Sequence, residues 1–258
     1  MTKSYLAIYN PETYWSEVAK RIKRRADNPT VAGDDSPYYQ YKREKFLALF
    51  RTIGFEHKSV LEFGSGPGGN LKELLALNAS KIVGVDISDK MVALAKSNVE
   101  HHKVEVIKID GEHLPFPDKS FDIVFTATVL QHNTDEAMVR KIVPELCDMC
   151  KEELILFERI EETKSGDELC MGRPVSFYEE LCEAENFYLD KTEFINIQAS
   201  FLASGVVRKI FSPNHKEGKK MNSLTVKLQE AVLPFTTKLD PFLPVQRDLA
   251  MMVFKPKK

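Results

Sequence analysis

The sequence lacks the long apolar runs and the excess of positive charge that mark two large classes of protein. No apolar stretch reaches the roughly 20 residues that a membrane-spanning helix needs, and the first ten residues, MTKSYLAIYN, lack the apolar core of a signal peptide. The net charge of −2 provides no global basic field that would hold nucleic acid by its phosphates. We therefore expect a cytoplasmic protein without stable membrane insertion and without a nucleic-acid partner.

Cysteine is also scarce, with four residues in a chain that shows no export signal, so we expect reduced thiols. Cys147 and Cys150 form a C-x-x-C pair, yet a structural zinc site needs four ligands at compact spacing. Cys170 and Cys182 are widely separated and have no neighbouring histidine. We expect no metal site and predict that the cysteines are small buried apolar residues.

What the chain does have is enough apolar sequence for a full core: 43% of its 258 residues are apolar and 29% are charged, as in soluble globular proteins. From residue 59 onward, short apolar segments alternate with helical patterns. Near-continuous apolar strands that alternate with helices predict an α/β fold with a parallel sheet covered on both faces. The predicted strands are 59–63, 81–86, 104–109, 121–127 and 154–157, and the predicted helices are 70–77, 88–99 and 134–150, the last kinked or restarted at Pro144.

The two flanking parts of the chain are less regular. Residues 1–50 have an amphipathic helical pattern with a break at 28–37, where turn-forming residues concentrate. Ser176 and Glu179 have the spacing of a capping box and predict a helix that ends near residue 185. Strands are predicted at 188–197 and 249–254, with a segment of mixed apolar and basic residues at about 199–245 between them.

A glycine-rich loop follows the first predicted strand in the segment VLEFGSGPGGN. A glycine-rich turn between a strand and a helix allows a ligand to approach the backbone closely. Gly64, Gly66 and Gly69 satisfy the G-x-G-x-x-G fingerprint of dinucleotide-binding proteins. Glu62 and Gly68 support a second interpretation, because they complete the E/D-x-G-x-G-x-G loop of S-adenosylmethionine-dependent methyltransferases. The glycines alone leave both interpretations open.

The second predicted strand ends in Asp86, about 20 residues after the first glycine of the loop. An acidic side chain at this place accepts hydrogen bonds from both ribose hydroxyls of an adenosine. Because methyltransferases and nicotinamide-dependent enzymes both use it, Asp86 predicts an adenosine-containing ligand without saying which one.

The segment IDGEHLPFPDKSFDIVFTATVLQHN, at 109–133, separates the two classes, because it closely resembles the sequence of class I methyltransferases after strand three. The matching residues are Asp110, Gly111, the LPF at 114–116 and the FDIV at 121–124. The resemblance extends over roughly 57–160 and loosely to residue 254. It implies a Rossmann-like class I methyltransferase fold, with a seven-stranded, mostly parallel sheet, a final antiparallel strand and helices on both faces.

The resemblance also implies S-adenosyl-L-methionine as cofactor. Its contacts are expected from the ends of the first four strands, where Asp110 accepts from the adenine amine and Asp86 holds the ribose. The expected cofactor-binding residues are Glu62, Gly64, Gly66, Gly68, Asp86, Ile87, Asp110, Gly111 and Thr126.

The predicted activity is methyl transfer to a small-molecule, sugar or lipid-like acceptor. O-methylation is favoured over N-methylation, because the segment Thr126-Ala127-Thr128-Val129 lacks the D/N-P-P-Y/F motif of nucleobase amino methyltransferases. The alternatives are a nucleotide-dependent oxidoreductase and a non-catalytic S-adenosylmethionine-binding protein. The oligomeric state stays open.

His132 is the candidate general base, because it follows strand four and histidine suits proton removal near neutral pH. Glu158, at the end of strand five, is the alternative. A competing hypothesis is that His132 bonds a backbone carbonyl and shapes its loop.

The chain is divided into an N-terminal helical lid, 1–50, and a methyltransferase domain, 51–258, with a helical insertion at about 199–245. The lid is rich in aromatic residues on both sides of its break. Ordinary packing of these aromatics on the sheet is the competing hypothesis. The predicted substrate or lid contacts are Tyr14, Tyr38, Tyr39 and Tyr41, the last three as cation–π partners of the cofactor sulfonium.

Overall fold

A computed structural model describes residues 9–25, 36–111, 113–243 and 246–258. Nine strands and eight α-helices lie within these ranges. The strands are β1 (Ser59–Phe63), β2 (Lys81–Asp86), β3 (Val104–Lys108), β4 (Phe121–Ala127), β5 (Cys150–Ile160), β6 (Ser165–Gly166), β7 (Met171–Gly172), β8 (Phe187–Phe194) and β9 (Asp248–Pro256). The helices are α1 (Pro11–Lys23), α2 (Pro37–Phe50), α3 (Gly69–Ala76), α4 (Asp89–Asn98), α5 (Glu136–Met149), α6 (Val175–Ala184), α7 (Gln198–Phe211) and α8 (Ser223–Leu239).

Seven strands form one sheet in the order β3-β2-β1-β4-β5-β9-β8. The pairs among β3, β2, β1, β4 and β5 are parallel, and β9 runs antiparallel between β5 and β8. The predicted seven-stranded, mostly parallel sheet with a final antiparallel strand is therefore confirmed. The strand order reverses between β1 and β4, and ligands of open α/β sheets bind outside the carboxyl ends of the strands at such a point.

Each face of the sheet carries its own apolar core, because successive side chains of a strand point to opposite faces. Val60 of β1 belongs to the core that includes residues of α2, α3, α4 and α8. Leu61 belongs to the core that includes residues of α5 and α6. Residues of α1 form a smaller cluster with Met91 of α4. This packing leaves the carboxyl ends of β1, β2 and β4 bordered by α1 and by the loop after β4.

Two local predictions about helices are wrong. The capping box at Ser176 is not formed, since α6 begins at Val175 after Pro174, and no side chain caps it. Pro174 lies directly before the helix with an extended backbone, so Ser176 falls inside the first turn. Of the kink or restart predicted at Pro144, the restart is also wrong, because α5 is one helix in which Val143 and Leu146 are buried on either side of the proline.

Other boundaries differ by a few residues. Strand β5 extends well beyond the predicted 154–157, because its start pairs with β4 from Cys150 and its end pairs with β9 as far as Ile160. Strand β8 ends at Phe194 rather than at residue 197. The segment predicted at about 199–245 contains α7 and α8. Much of the predicted break at 28–37 lies outside the described residues, as do residues 1–8 of the predicted lid.

The cysteines behave mainly as small core residues. Cys147, Cys150 and Cys182 are buried, as predicted, while Cys170 is partly exposed. A hydrogen bond with Cys182, together with burial, raises the pKa of the Cys147 thiol well above its ordinary value. Among the residues that the structure describes, no group of three or more His, Cys, Asp or Glu side chains is arranged to hold a metal ion. None of the described helices is long and apolar enough to cross a membrane.

Candidate active site

A cavity of about 390 Å³ opens at the carboxyl ends of β1, β2 and β4. This volume lies within the range of small-molecule and cofactor sites, which are mostly apolar with a few placed polar groups. Six of the predicted cofactor-binding residues line it: Gly64, Gly66, Asp86, Ile87, Asp110 and Gly111. Glu62, Gly68 and Thr126 do not line it.

Three glycines follow β1 with positive φ angles: 77° at Gly64, 51° at Gly66 and 88° at Gly68. Residues with an L side chain rarely adopt such angles. Their surroundings nevertheless differ. A Cβ on Gly64 would lie 2.4 Å from Cγ2 of Val129, and a Cβ on Gly68 would lie 3.0 Å from Cγ2 of Val99. A Cβ on Gly66 would meet no atom within 4 Å. Gly64 and Gly68 are thus required by packing within the protein, while Gly66 borders open space in the cavity.

The buried carboxylate of Asp86 is hydrogen-bonded to the backbone of the glycine loop. Its Oδ2 accepts a hydrogen bond from the Gly66 amide at 2.9 Å, and its Oδ1 accepts one from the Ser88 amide at 2.8 Å. Burial raises the pKa of Asp86 to about 6, against the lowering effect of the two amide donors. Each carboxylate oxygen can accept a second hydrogen bond, so Asp86 has capacity left for donors on a ligand in the cavity.

Asp110 and Gly111 follow β3 at the next edge of the cavity. The Asp110 Oδ1 accepts a hydrogen bond from the His113 amide at 2.9 Å. Gly111 has a φ of 87°, and a Cβ there would lie 2.8 Å from Cδ1 of Ile87. The glycine at position 111 is thus explained by its tight approach to Ile87 on the cavity wall.

Glu62 is buried on the face of the sheet that packs against α2 and α3. Its Oε1 accepts from Nδ2 of Asn70 at 2.7 Å, and the Asn70 Oδ1 accepts from Nη1 of Arg43 at 3.2 Å. The Glu62 Oε2 is buried with no hydrogen-bond partner. Burial raises the pKa of Glu62 to about 8, although Asn70 and the positive charge of Arg43 act in the opposite direction. The carboxyl group thus holds a position behind the glycine loop rather than on the cavity surface.

Glu158 organises the loop that follows β4. Its Oε1 accepts hydrogen bonds from the Thr126 hydroxyl at 2.7 Å and from the Val129 and Leu130 amides at 3.1 Å. Its Oε2 accepts from the Gln131 amide at 3.0 Å. Burial raises the pKa of Glu158, opposed by these four donors. Glu158 is fully buried and does not line the cavity. Like Glu62, it therefore supports a loop of the cavity from inside the protein.

His132 lies in this loop and lines the cavity. Its Nδ1 is 2.8 Å from the carbonyl oxygen of Leu169, which can only accept, so Nδ1 carries the proton. The Arg159 amide donates to the Gln131 Oε1 at 3.0 Å, which turns the Gln131 Nε2 toward His132 Nε2 at 3.2 Å. The hydrogen bonds therefore assign the tautomer in which Nε2 of His132 holds the lone pair. The bond from His132 to a backbone carbonyl, which the competing hypothesis expected, is present.

Helix α1 and the residues just before it border the cavity beside His132 with side chains that the prediction did not select. Tyr9, Pro11 and Trp15 line the cavity, and the Trp15 ring meets the His132 ring edge-on with centroids 5.0 Å apart. Trp15 stands beside the predicted Tyr14 in an aromatic cluster, but only helical phase decides which of two neighbours faces the cavity. Tyr14 instead donates to Oε2 of Glu217 at 2.9 Å.

The three tyrosines of α2 do not line the cavity. Tyr38 is buried in the core, and its amide is 3.5 Å from Oε1 of Gln229 on α8. The Tyr39 hydroxyl accepts from Arg208 of α7 at 3.0 Å, and the Tyr41 hydroxyl donates to Asp240 at 2.9 Å. The structure thus brings these aromatics to α7 and α8, away from the residues that line the cavity, and the expected cation–π contacts with a cofactor have no geometric support.

The loop after β4 supplies two cavity residues that sequence inspection missed, Thr128 and Val129, and α5 supplies a third, Met138. Thr128 has a φ of 58°, a left-handed conformation that is strained for a β-branched residue. Its amide donates to the carbonyl of Phe157 at 2.7 Å, which ties the strained residue to β5. No sequence motif marks this conformation, because it depends on that tertiary contact.

Comparison with known proteins supports the family predicted from the sequence. Residues 60–153 match a family model described as a methyltransferase domain. The chain is 31% identical over 105 residues to the sterol 24-C-methyltransferase erg6 of Aspergillus fumigatus, a match that covers 38% of this chain and 28% of that protein. It is 35% identical over 130 residues to a Mycobacterium tuberculosis protein named as an S-adenosylmethionine-dependent methyltransferase, with 44% of this chain and 46% of the relative covered.

The similarity to a solved structure is broader but weaker in sequence. The crystal structure of the [4+2]-cyclase SpnF superimposes with a TM-score of 0.65 over 96% of this chain and 95% of that chain, at 16% identity. This similarity establishes the fold and no activity. The chain spans less than half the length of the two curated relatives. The domain match falls on strands and loops that build the cavity, and it confirms the methyltransferase resemblance predicted from the sequence for this part of the chain.

Proposed function

We propose that the protein binds S-adenosyl-L-methionine in the cavity at the carboxyl ends of β1, β2 and β4 and transfers its methyl group to an acceptor. The observation that carries this proposal is the open space beside Gly66, bounded by the Asp86 carboxylate on one side and by Asp110 and Gly111 on the other. When bound, this cofactor supplies a methyl group that its sulfonium has already activated.

The residues around the cavity suit the parts of such a cofactor. Asp86 has a carboxylate at the cavity wall that suits the two ribose hydroxyls, and Ile87 adds an apolar surface beside it. Asp110 and the backbone at Gly111 suit the polar edge of an adenine. We assign Glu62, Gly68 and Thr126 supporting roles, because each contacts neighbouring protein groups rather than the cavity.

On the acceptor side we propose His132 as the group that removes or orients a proton, which favours an alcohol or phenol acceptor over an amine. Its Nε2 lone pair is turned toward Gln131, a neutral donor that an acceptor hydroxyl can replace. Glu158 then acts as a positioning residue, since its four hydrogen bonds fix the loop that carries His132. A small-molecule, sugar or lipid-like acceptor remains the favoured class.

Helix α1 is proposed as the part of the predicted lid, 1–50, that excludes water from the transferring methyl group. Pro11 and Trp15 line the cavity, and the Trp15 ring contacts His132. The rest of the predicted division, with the main domain at 51–258 and an insertion at about 199–245, stands as part of the same proposal.

The first experiment compares ligands. Calorimetric titration of the full chain with S-adenosylhomocysteine and with NAD separates a methyltransferase from a nucleotide-dependent oxidoreductase. We expect S-adenosylhomocysteine alone to bind, and we expect Gly66→Val to abolish its binding. Binding of NAD with no response to S-adenosylhomocysteine would refute the cofactor assignment.

The second experiment identifies the acceptor by screening sugars, phenols, lipids, amines and tRNA for release of S-adenosylhomocysteine. With an acceptor found, His132→Ala should lower turnover by roughly a hundredfold while cofactor affinity stays unchanged. Gln131→Ala is the matched control for the loss of a side chain in this loop. It removes the hydrogen-bond donor to Nε2 of His132 but leaves the imidazole of His132 in place. Loss of cofactor affinity, or unchanged turnover, would assign His132 a structural role. Binding without turnover by any acceptor would favour a non-catalytic role for the protein.

A further inference from the structure

The helical hairpin α7–α8 exposes apolar side chains on its outer surface. Among the described residues, Leu169 and Tyr188 are the only exposed large apolar side chains outside 201–243. On α8, Leu224, Phe235 and Leu239 are all more than half exposed. Their spacing of eleven and four residues places them on one stripe of the helix.

The same feature recurs on α7 and after α8. Leu202, Val206 and Ile210 are spaced four residues apart on α7 and are more than half exposed. Phe242, in the turn that follows α8, is 80% exposed. Single exposed apolar residues are common, but a concentration of this kind marks an interaction surface.

The inner faces of the two helices include buried polar residues. The hydroxyl of Ser200, at the start of α7, donates to Asp240 at 2.6 Å and lies 3.0 Å from the hydroxyl of Thr236 near the end of α8. Beyond the other end of α7, the Ser212 hydroxyl lies 2.8 Å from the hydroxyl of Thr225. The helices are therefore antiparallel and are joined by hydrogen bonds between buried small polar residues.

This arrangement departs from the usual one, in which a helix on a soluble protein turns its apolar stripe to the core and its polar face to water. Here α8 buries Thr225 and Gln229 along with Leu233, while Leu224 and Phe235 face outward. A surrounding with apolar character would stabilise the outer stripe without disturbing the inner hydrogen bonds. The outer surface of the hairpin is thus suited to contact with an apolar environment or a partner rather than with water alone.

Charge indicates which occupant fits this surface. Residues 198–243 contain seven Lys or Arg and three Asp or Glu, a net charge of +4, in a chain whose net charge is −2. Two of the three acidic side chains are engaged within the protein, Asp240 by Ser200 and Glu217 by Tyr14. Lys227 and Lys238 are exposed, each three residues after an apolar residue of the α8 stripe.

We propose that the α7–α8 hairpin docks peripherally on an anionic lipid surface, with α8 lying in the plane of the interface. An apolar stripe flanked by lysines is the pattern of an interfacial helix, which combines burial of apolar area with attraction to anionic headgroups. A second copy of the chain fits less well, because a symmetric contact through this face would bring two segments of charge +4 together.

The test uses the full chain and does not depend on the proposed activity. Co-sedimentation is measured with vesicles of phosphatidylcholine alone and with vesicles in which about a third of the lipid is phosphatidylglycerol. We expect binding to the anionic vesicles, weakened by added salt, and much less binding to the neutral ones. The pair Lys227→Ala and Lys238→Ala should weaken partitioning about 25-fold, about fivefold for each lysine. The pair Phe235→Ser and Leu239→Ser should weaken it by at least about tenfold.

Matched controls separate this surface from general charge and apolarity. The pair Lys72→Ala and Lys96→Ala removes exposed lysines of α3 and α4, and Tyr188→Ser removes an exposed aromatic of β8, so these variants should bind like the parent. Equal binding to neutral and anionic vesicles, no binding to either, or unchanged binding by both hairpin pairs would overturn the proposal. It would also be overturned by a dimer in solution that the serine pair dissociates, since a second copy would then occupy the face.

Discussion

Replacing Glu62 by glutamine should make the protein more stable at pH 8, although it removes a buried residue of the predicted cofactor motif. Glutamine keeps an oxygen that can accept from Asn70 and places its amide where the Glu62 Oε2 has no partner. The substitution therefore resembles the protonated carboxyl in shape and hydrogen bonding. It differs from the parent only where Glu62 would ionise.

The size of the effect follows from the raised pKa. Burial raises the pKa of Glu62 from 4.5 to about 8 in the folded protein, and one pKa unit is worth about 1.4 kcal/mol. Below pH 4.5 the folded and unfolded states are both protonated, and Glu62 adds no pH dependence. As the pH rises toward 8, the unfolded state ionises while the folded state holds its proton, so the stability of the parent falls. The accumulated loss is roughly 4–5 kcal/mol and is complete above the folded pKa.

Urea unfolding of the parent and Glu62→Gln at pH values from 4.5 to 8.5 measures this difference. The two proteins should have similar stability at the acid end and diverge steadily, with the variant more stable at the alkaline end. Glu100 is exposed, and Glu100→Gln is the matched control. The difference in the free energy of unfolding between this variant and the parent should not depend on pH. Asp86, whose pKa is raised to about 6, contributes equally to the slope of unfolding free energy against pH in the parent and the variant. Its contribution therefore largely cancels in the comparison. A constant difference, or a variant that is less stable at pH 8, would refute the reasoning.

Three further predictions concern the cavity and its supports. Asp86→Ala should weaken S-adenosylhomocysteine binding by about ten- to a hundredfold, since a charge-assisted hydrogen bond is worth roughly 1.5–3 kcal/mol, and calorimetry showing unchanged affinity would remove Asp86 from the site. Gly66→Ala should lower the free energy of unfolding by about 1–2 kcal/mol through its positive φ, whereas Gly54→Ala, where a Cβ also meets no atom, should be nearly neutral in the same urea titration. Glu158→Gln should cost about 1–3 kcal/mol, because an amide cannot accept from all four donors, and a smaller loss than in Thr126→Val would contradict the role of Glu158 in holding the loop after β4.

Local sequence was sufficient for the framework of this protein. Strands such as β2 and β4 are short apolar runs bounded by polar or turn-forming residues, so their positions follow from pattern alone. The loop glycines and the strand-end residues Asp86 and Asp110 follow these strands directly. Because parallel strands bring their carboxyl ends to one edge of the sheet, this pattern already placed most of the cofactor side of the cavity.

Tertiary structure decided which neighbouring residue faces the cavity and which one supports it. Gly66 and Gly68 share a motif, yet one borders open space and the other packs against α4, and this difference depends on where α4 crosses the loop. Likewise Trp15 lines the cavity while Tyr14 beside it bonds Glu217, more than 200 residues away in the chain. Contacts between such distant residues leave no local pattern, so the lid aromatics could not be sorted from sequence.

The roles of the buried carboxyl groups show the same division. Sequence identifies Glu62 and Glu158 as acidic residues at the ends of strands, where an acid often meets a ligand. Their partners, Asn70 for one and the loop after β4 for the other, become neighbours only when the helices and strands pack. The sequence alone therefore determined the sheet, the resemblance to methyltransferases and the position of the cavity. Packing alone decided which acids reach the cavity, because burial and hydrogen-bond partners are properties of the folded chain.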